Sequence, residues 1–197
     1  MSMLPEAPTI PKSLLRRPFS GKMAKEYHVS YSKIRRLLQK GFLERLERGV
    51  YQSSQVGGHR LDVEEAFRVA TIRIGAPCAI SYLSALEYYH LTDEISSQIW
   101  LIVPSTKRST HPDFRLVRVS KPHWNIGIDK HSGFWITSLE RTLVDVLANP
   151  NYLGKMLGVE ALKQAISEQK TSFEKVTQMA SRLGVFKRIQ PIIEILA

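Results

Sequence analysis

The chain has 197 residues, 43% of them hydrophobic, with 28 Lys and Arg against 18 Asp and Glu, a net charge of +10 and a pI near 9.8. That is enough apolar content to build one large or two small cores. A single cysteine, Cys78, excludes an intramolecular disulfide and a cysteine-built zinc site.

No apolar run approaches the roughly 20 residues needed to cross a bilayer. The start, MSMLPEAPTIPK, lacks the charged opening and apolar centre of a secretory signal. The expectation is a cytoplasmic protein with no membrane partner. The positive charge is unevenly placed: residues 1–60 hold 12 Lys and Arg against 4 acidic residues, while residues 61–197 hold 16 against 14. A polyanion-binding segment joined to a nearly neutral domain is the pattern this makes.

In chain order, residues 1–11 carry three prolines and read as a loosely held arm. A short helix is expected from Pro11 to Arg17, stopped by Pro18. Ser20 is placed to cap a second helix that ends near His28, with Phe19 packing back on its first turn. Ser30 then caps a helix over YSKIRRLLQK, and Gly41 supplies its left-handed stop. At 100° per residue, Tyr31, Ile34, Leu37 and Leu38 share an apolar arc, while Ser32, Lys33, Arg35, Arg36, Gln39 and Lys40 cover the other side. That outer face has four positive charges and no carboxylate, unlike a solvated helix, which mixes signs for pairing.

After Gly41, LERLERGVYQ reads as two short strands with a tight reversal at Glu47-Arg48-Gly49. Two helices joined by a short turn and followed by such a hairpin make a winged helix-turn-helix. In that arrangement Ser32, Lys33, Arg35, Arg36 and Gln39 are the candidates for reading base edges, because Arg matches guanine O6 and N7 and Gln matches adenine N6 and N7. Arg16, Lys22, Tyr31, Arg45 and Arg48 are the candidates for phosphate contacts, although the place of Tyr31 on the apolar arc favours packing. The expected partner is double-stranded DNA.

Residues 52–60, QSSQVGGHR, read as a linker, giving a DNA-binding domain over 1–56 and a second domain over 57–197. The second domain opens with apolar helical stripes over 61–74 and 78–90. QIWLIVP (98–104), FRLVRVS (114–120) and GFWITS (133–138) follow as three expected strands. Ser138 can cap a helix over LERTLVDVLA, with Pro150 beyond its end, and the last third is helical, with Gly184 as one stop. The fold class expected is α+β.

The chain offers little support for catalysis. Gly57-Gly58 is no phosphate loop, and the six histidines show no paired metal-ligand spacing. His111, His123 and His131 with Asp113 and Asp129 are at most a metal site assembled in three dimensions. The simpler reading is loop histidines at strand ends. Arg141 and Asp145, at i and i+4, are most simply a helical ion pair. Trp124 and Trp135 suit core packing or base stacking. No cofactor is expected.

Three stretches in this order, LLQKGFLERLERGVYQ, AISYLSALEYYHLTDEISSQIWLIVP and ITSLERTLVDVLANPNYLGK, resemble the AbiEi-type antitoxins of bacterial abortive-infection toxin-antitoxin systems. The resemblance runs from about Leu14 onward and is carried most specifically by GxxxRLxRGVY (Gly41 to Tyr51), SYLSAL (Ser81 to Leu86) and LERTLVDVL (Leu139 to Leu147). It implies a winged helix that binds and represses the promoter of its own operon. It also implies a second domain that opposes a nucleotidyltransferase-like toxin without a stable complex. The proline-rich arm and short first helix depart from that pattern. Two rivals remain at this point: a winged helix delivering a metal-dependent nuclease-like domain, with His123, Asp129 and Glu140 as ligands, and an RNA-binding regulator.

Overall fold

The computed structural model describes residues 10–54, 62–104, 112–120, 122–131 and 133–196. The expected linker and arm lie largely outside these, as do His59 and His111. The chain divides into two compact units, Met1–Arg73 and Ile74–Ala197. Their class is α+β, with the first unit built on a three-stranded sheet and the second on a five-stranded one.

In the first unit, α1 spans Lys12–Leu15, shorter than the expected 11–17, since Pro18 bars the residues before it from continuing the helix. A two-residue strand β1, Phe19–Ser20, leads into α2, Gly21–Glu26, whose cap is formed by Met23 N donating to Ser20 Oγ at 3.1 Å. The turn that follows is closed by Val29 N to Ala24 O at 2.9 Å and His28 N to Lys25 O at 3.0 Å. His28 takes the left-handed conformation, φ 58°, where glycine is the usual occupant.

Helix α3, Tyr31–Gln39, is capped by Ser30, whose Oγ accepts from Lys33 N at 3.3 Å. It is closed by the same double bond pattern at Gly41, φ 72°. Strands β2, Leu43–Glu47, and β3, Val50–Ser53, form the hairpin, turning through Gly49 at φ 84°. The sheet order is β1-β3-β2, all antiparallel. Register slips between Arg45 and Glu47, leaving Leu46 as a bulge that adds twist near the tip. Phe19, fully buried, pairs with Tyr51 across the sheet, and with Leu14, Ala24, Val29, Ile34, Leu37 and Leu43 they make a small core.

Helix α4, Val63–Ile74, starts at a reciprocal cap that sequence reading passed over. Glu65 N donates to Asp62 Oδ1 at 2.7 Å, and Asp62 N to Glu65 Oε2 at 3.2 Å. The other oxygen of Glu65 accepts from Gln52 Nε2 at 3.3 Å. Arg73 pairs with Glu47 at 2.7 Å and donates to the carbonyl of Arg48 at 2.9 Å. These ties link α4 to the hairpin within the first compact unit. Gln52 and Ser53, read as the start of the linker, are buried members of β3.

The second unit is ordered β4 (Ala79–Ile80), α5 (Tyr82–Tyr88), β5 (Ile99–Pro104), β6 (Phe114–Val119), β7 (Ile128–Lys130), β8 (Trp135–Thr137) and then helices α6 to α10. The helices are α6 Leu139–Ala148, α7 Pro150–Leu153, α8 Lys155–Ser167, α9 Phe173–Arg182 and α10 Phe186–Leu196. The sheet order is β6-β5-β4-β8-β7, with β5·β6 and β4·β8 parallel and the other pairs antiparallel.

The three expected strands are present, and β4 and β7 join them. Ala79 and Ile80, expected near the head of a helix over 78–90, instead form β4 in the centre of the sheet, where Ile80 lies between Leu101 and Ile136. Two residues are too few to show a strand's period. Helix α6 is the centre of the helical layer, packed by α5, α8, α9 and α10 and buried from Arg141 to Ala148. Its cap is the expected one, Arg141 N to Ser138 Oγ at 3.2 Å.

Candidate nucleic-acid interface

On α3 the physical chemistry of the sequence is carried directly into geometry. Ile34 and Leu37 are buried and Leu38 is half-buried, which turns Ser32, Arg35, Arg36, Gln39 and Lys40 outward as exposed side chains, with Lys33 half-buried. Neither Arg35 nor Arg36 has an ion pair or side-chain hydrogen bond among the described residues. Their charge is therefore not spent within the fold.

Tyr31 departs from expectation. It is 70% exposed and lies off the core, because a residue in the first turn of α3 projects past the elements that cover Ile34 and Leu37. Its hydroxyl instead meets that of Tyr51. Burial pushes the Tyr51 hydroxyl above its ordinary pKa, the Tyr31 contact adds to that, and Arg45 opposes it. Tyr31 thus ties the head of α3 to the wing while its ring remains at the surface.

The phosphate candidates are dispersed around this face. Arg16, Lys22, Arg45 and Arg48 are all exposed. Arg45 folds back, its Nε donating to the Glu47 carbonyl at 3.2 Å, while the side chain of Arg48 extends from the tip. The carboxylate of Glu47, close to that tip, is held by Arg73, which offsets negative charge beside the wing arginines. An open concavity of about 530 Å³ at the α2–α3 turn is lined by Lys25, His28 and Tyr31 among others. Lys25 is exposed there, in the last turn of α2, and lies off the α3 periodicity that marks the other cations in the sequence.

In the second unit the residues singled out for chemistry do not converge. No group of three or more His, Cys, Asp and Glu is placed to hold a metal among the described residues. Glu140 accepts from Thr171 Oγ1 at 2.8 Å, Asp129 is exposed on β7, and His131 meets the Tyr88 hydroxyl at 3.3 Å while stacking on Phe134.

Arg141 and Asp145 do form the expected ion pair, at 2.7 Å, but in the core: Arg141 is 1% exposed. Its Nη1 also donates to the carbonyls of His123 at 2.9 Å and Ile126 at 2.7 Å, pinning the loop between β6 and β7. Gly127 lies so close that a Cβ there would sit 2.9 Å from Cβ of Arg141. Burial raises the Asp145 carboxyl to about 6, against the pull of Arg141.

A capped basic helix with its apolar arc buried, set against a bulged two-stranded wing, defines the first unit as a winged helix-turn-helix domain. Comparison with known proteins agrees. Residues 10–54 match the family model described as transcriptional regulator, AbiEi antitoxin. Among solved structures, the chain is similar to the RV2827C protein from Mycobacterium tuberculosis, with a TM-score of 0.57 and 17% identity over 95% of this chain and 83% of that one. At that identity the likeness is one of fold. No curated protein matches the chain in sequence. Among the described residues, no helix is long and apolar enough to cross a membrane.

Proposed function

We propose that the protein is a sequence-specific binder of double-stranded DNA that represses its own promoter and serves as the antitoxin against a nucleotidyltransferase-like toxin. It acts in the cytoplasm, without catalysis or a cofactor, and without a stable complex with the toxin. The observation that carries the reading is the outer face of α3: exposed Ser32, Arg35, Arg36 and Gln39 with half-buried Lys33, no carboxylate among them, and the two arginines unpaired among the described residues. In this reading α3 enters the major groove and those five residues read base edges. Arg45 and Arg48 on the wing, with Arg16, Lys22 and Tyr31, hold the backbone. The AbiEi-type match over residues 10–54 supports a regulator role for that segment.

The test is fluorescence anisotropy of the full chain on its own promoter duplex and on a scrambled duplex of equal length. Specific binding should exceed the scrambled control by about a thousandfold or more at fixed salt. Equal affinity for the two would overturn the reading. Protection is tested separately, by co-expression with the toxin encoded alongside. Growth should be restored without the two proteins co-purifying.

A further inference from the structure

The second unit holds a polar cavity that DNA binding does not use. Its volume is about 350 Å³, within the range of roughly 300–1,000 Å³ typical of small-ligand sites. It opens between the end of β6, the loop at His123, the C-terminal half of α6 and the junction of α9 with α10. Most cavities of this size are lined by apolar side chains. This one gathers Arg118, Arg141, Arg188, His123, Asp145 and Asn149, with Tyr82 and Tyr152 on one wall.

The charge balance of that lining is informative. Asp145 is its one carboxylate and is already matched by Arg141. Arg118 and Arg188 are exposed, and their side chains have no ion pair or hydrogen bond among the described residues. The cavity therefore carries two unmatched cations. The guanidinium of Arg141 spends Nε on Asp145 and Nη1 on two carbonyls, which leaves Nη2 without a partner among the described residues. His123 adds a second open position, since its Nδ1 is buried and has no hydrogen-bond partner among the described residues. Helix α10 begins at the cavity, next to Val185 and Arg188, and its positive end favours an anion there. The carbonyls at the end of α9 would disfavour one, but Gly184 and Val185 close them with bonds of 3.0 Å each.

The aromatic wall supplies the other half of a recognition site. Tyr152 is 41% exposed, and its ring is fixed by edge contacts to Tyr82 at 5.3 Å and Trp100 at 6.2 Å. Beside it, Asn149 Nδ2 donates to the Tyr82 hydroxyl at 3.3 Å and to the Asp145 carbonyl at 2.8 Å, which orders the polar groups around the ring.

We propose that this cavity binds a small phosphomonoester bearing a planar ring, of the nucleoside monophosphate class, with the phosphate between Arg118 and Arg188 and the ring against Tyr152. A phosphomonoester carries about −1.5 to −2 charges at neutral pH, which matches two unpaired guanidinium forks in charge and geometry. The site is independent of the winged helix and does not rest on the DNA-binding reading.

The test uses the full chain and calorimetric titration with AMP, GMP, CMP and UMP, with the corresponding nucleosides and inorganic phosphate as controls. At least one monophosphate should saturate a single site per chain and bind about tenfold or more tighter than either its nucleoside or inorganic phosphate. The double variant Arg118→Ala/Arg188→Ala should lose about tenfold or more in that affinity while unfolding at an unchanged urea midpoint, since both side chains are exposed. Tyr152→Ala should bring the monophosphate down toward the affinity of inorganic phosphate. The proposal is overturned if no monophosphate saturates a site at about 1 mM, if the double variant binds as the parent does, or if inorganic phosphate binds as tightly as the monophosphates.

Discussion

Arg36 on α3 and Arg141 on α6 sit on helices that begin alike, each capped by a serine whose Oγ accepts from the amide three residues on. Their surroundings are opposite. Arg36 is exposed on a helix face with no carboxylate, and its side chain has no partner among the described residues, while Arg141 is 1% exposed, bound to Asp145 and to two loop carbonyls. An arginine whose bonds are satisfied inside the fold stabilises that fold, and removing it leaves buried acceptors and a buried carboxylate behind. An arginine whose bonds are unmade contributes little to folding and is available to a partner. The difference between the two units is therefore where their polar bonds are completed, and mutation separates the cases.

The largest effect expected is at Arg141. Arg141→Met should destabilise the protein by about 3–5 kcal/mol, as truncating one partner of a buried pair does, whereas Arg35→Ala/Arg36→Ala should stay within about 0.5 kcal/mol of the parent. Urea unfolding followed by far-UV circular dichroism reads both, since the three tryptophans all lie in the second unit, and comparable losses would erase the distinction.

The next effect is a pH dependence. The folded pKa of Asp145, about 6, lies above its ordinary 3.8, so the folded state binds the extra proton. Its contribution is fully present below about pH 4 and is lost as pH rises through about 6. The parent should therefore gain on the order of 2 kcal/mol relative to Asp145→Asn when the pH is lowered from 7 to 4. A difference that stays flat with pH would show that burial does not dominate at this carboxyl.

What could be read in the sequence, and what could not, follows the same division. The caps at Ser20, Ser30 and Ser138 and the left-handed turns at Gly41 and Gly49 are local chemistry, and each appears where its residue type demands it. The basic face of α3 follows from a 3.6-residue period over nine residues. Strands β4 and β7 have two and three residues and show no period, so only pairing with distant strands defines them. The i, i+4 pair of Arg141 and Asp145 was legible. Its burial, and the carbonyls it holds 15 and 18 residues away, are tertiary facts. The reciprocal cap of Asp62 and Glu65 was legible in principle, since an acidic N-cap with Glu three residues on is a known helix start.

Within the basic face, the comparison sharpens to Arg36 against Arg48. Arg36 is central to the outer arc of α3, and a bidentate base contact is worth about 1–3 kcal/mol of discrimination. Arg36→Ala should therefore lower affinity for the promoter duplex by that amount and flatten its preference over scrambled DNA. Arg48 extends from the wing tip, where a phosphate contact acts through counterion release. Arg48→Ala should weaken both duplexes about equally and reduce the slope of log K against log salt by about 0.9. A salt titration of both duplexes by anisotropy distinguishes them. An unchanged specificity ratio in Arg36→Ala would remove α3 as the reading element.

The smallest effect belongs to the turn that sets α2 against α3. His28 holds φ at 58°, in the left-handed region, and its amide and that of Val29 close the end of α2. An L-residue in that conformation carries a penalty of roughly 1 kcal/mol that glycine escapes, although glycine also loses more backbone entropy on folding. His28→Gly should therefore leave stability unchanged or raise it by up to about 1 kcal/mol, while His28→Val, whose branched Cβ suits that region least, should lower it by about 1–2 kcal/mol. The histidine ring is exposed, so neither change removes core packing. Promoter affinity of His28→Gly, measured beside its urea midpoint, tells turn geometry from direct contact. Retained binding with equal or higher stability assigns His28 to the turn alone, and weakened binding at unchanged stability would place its imidazole on the DNA.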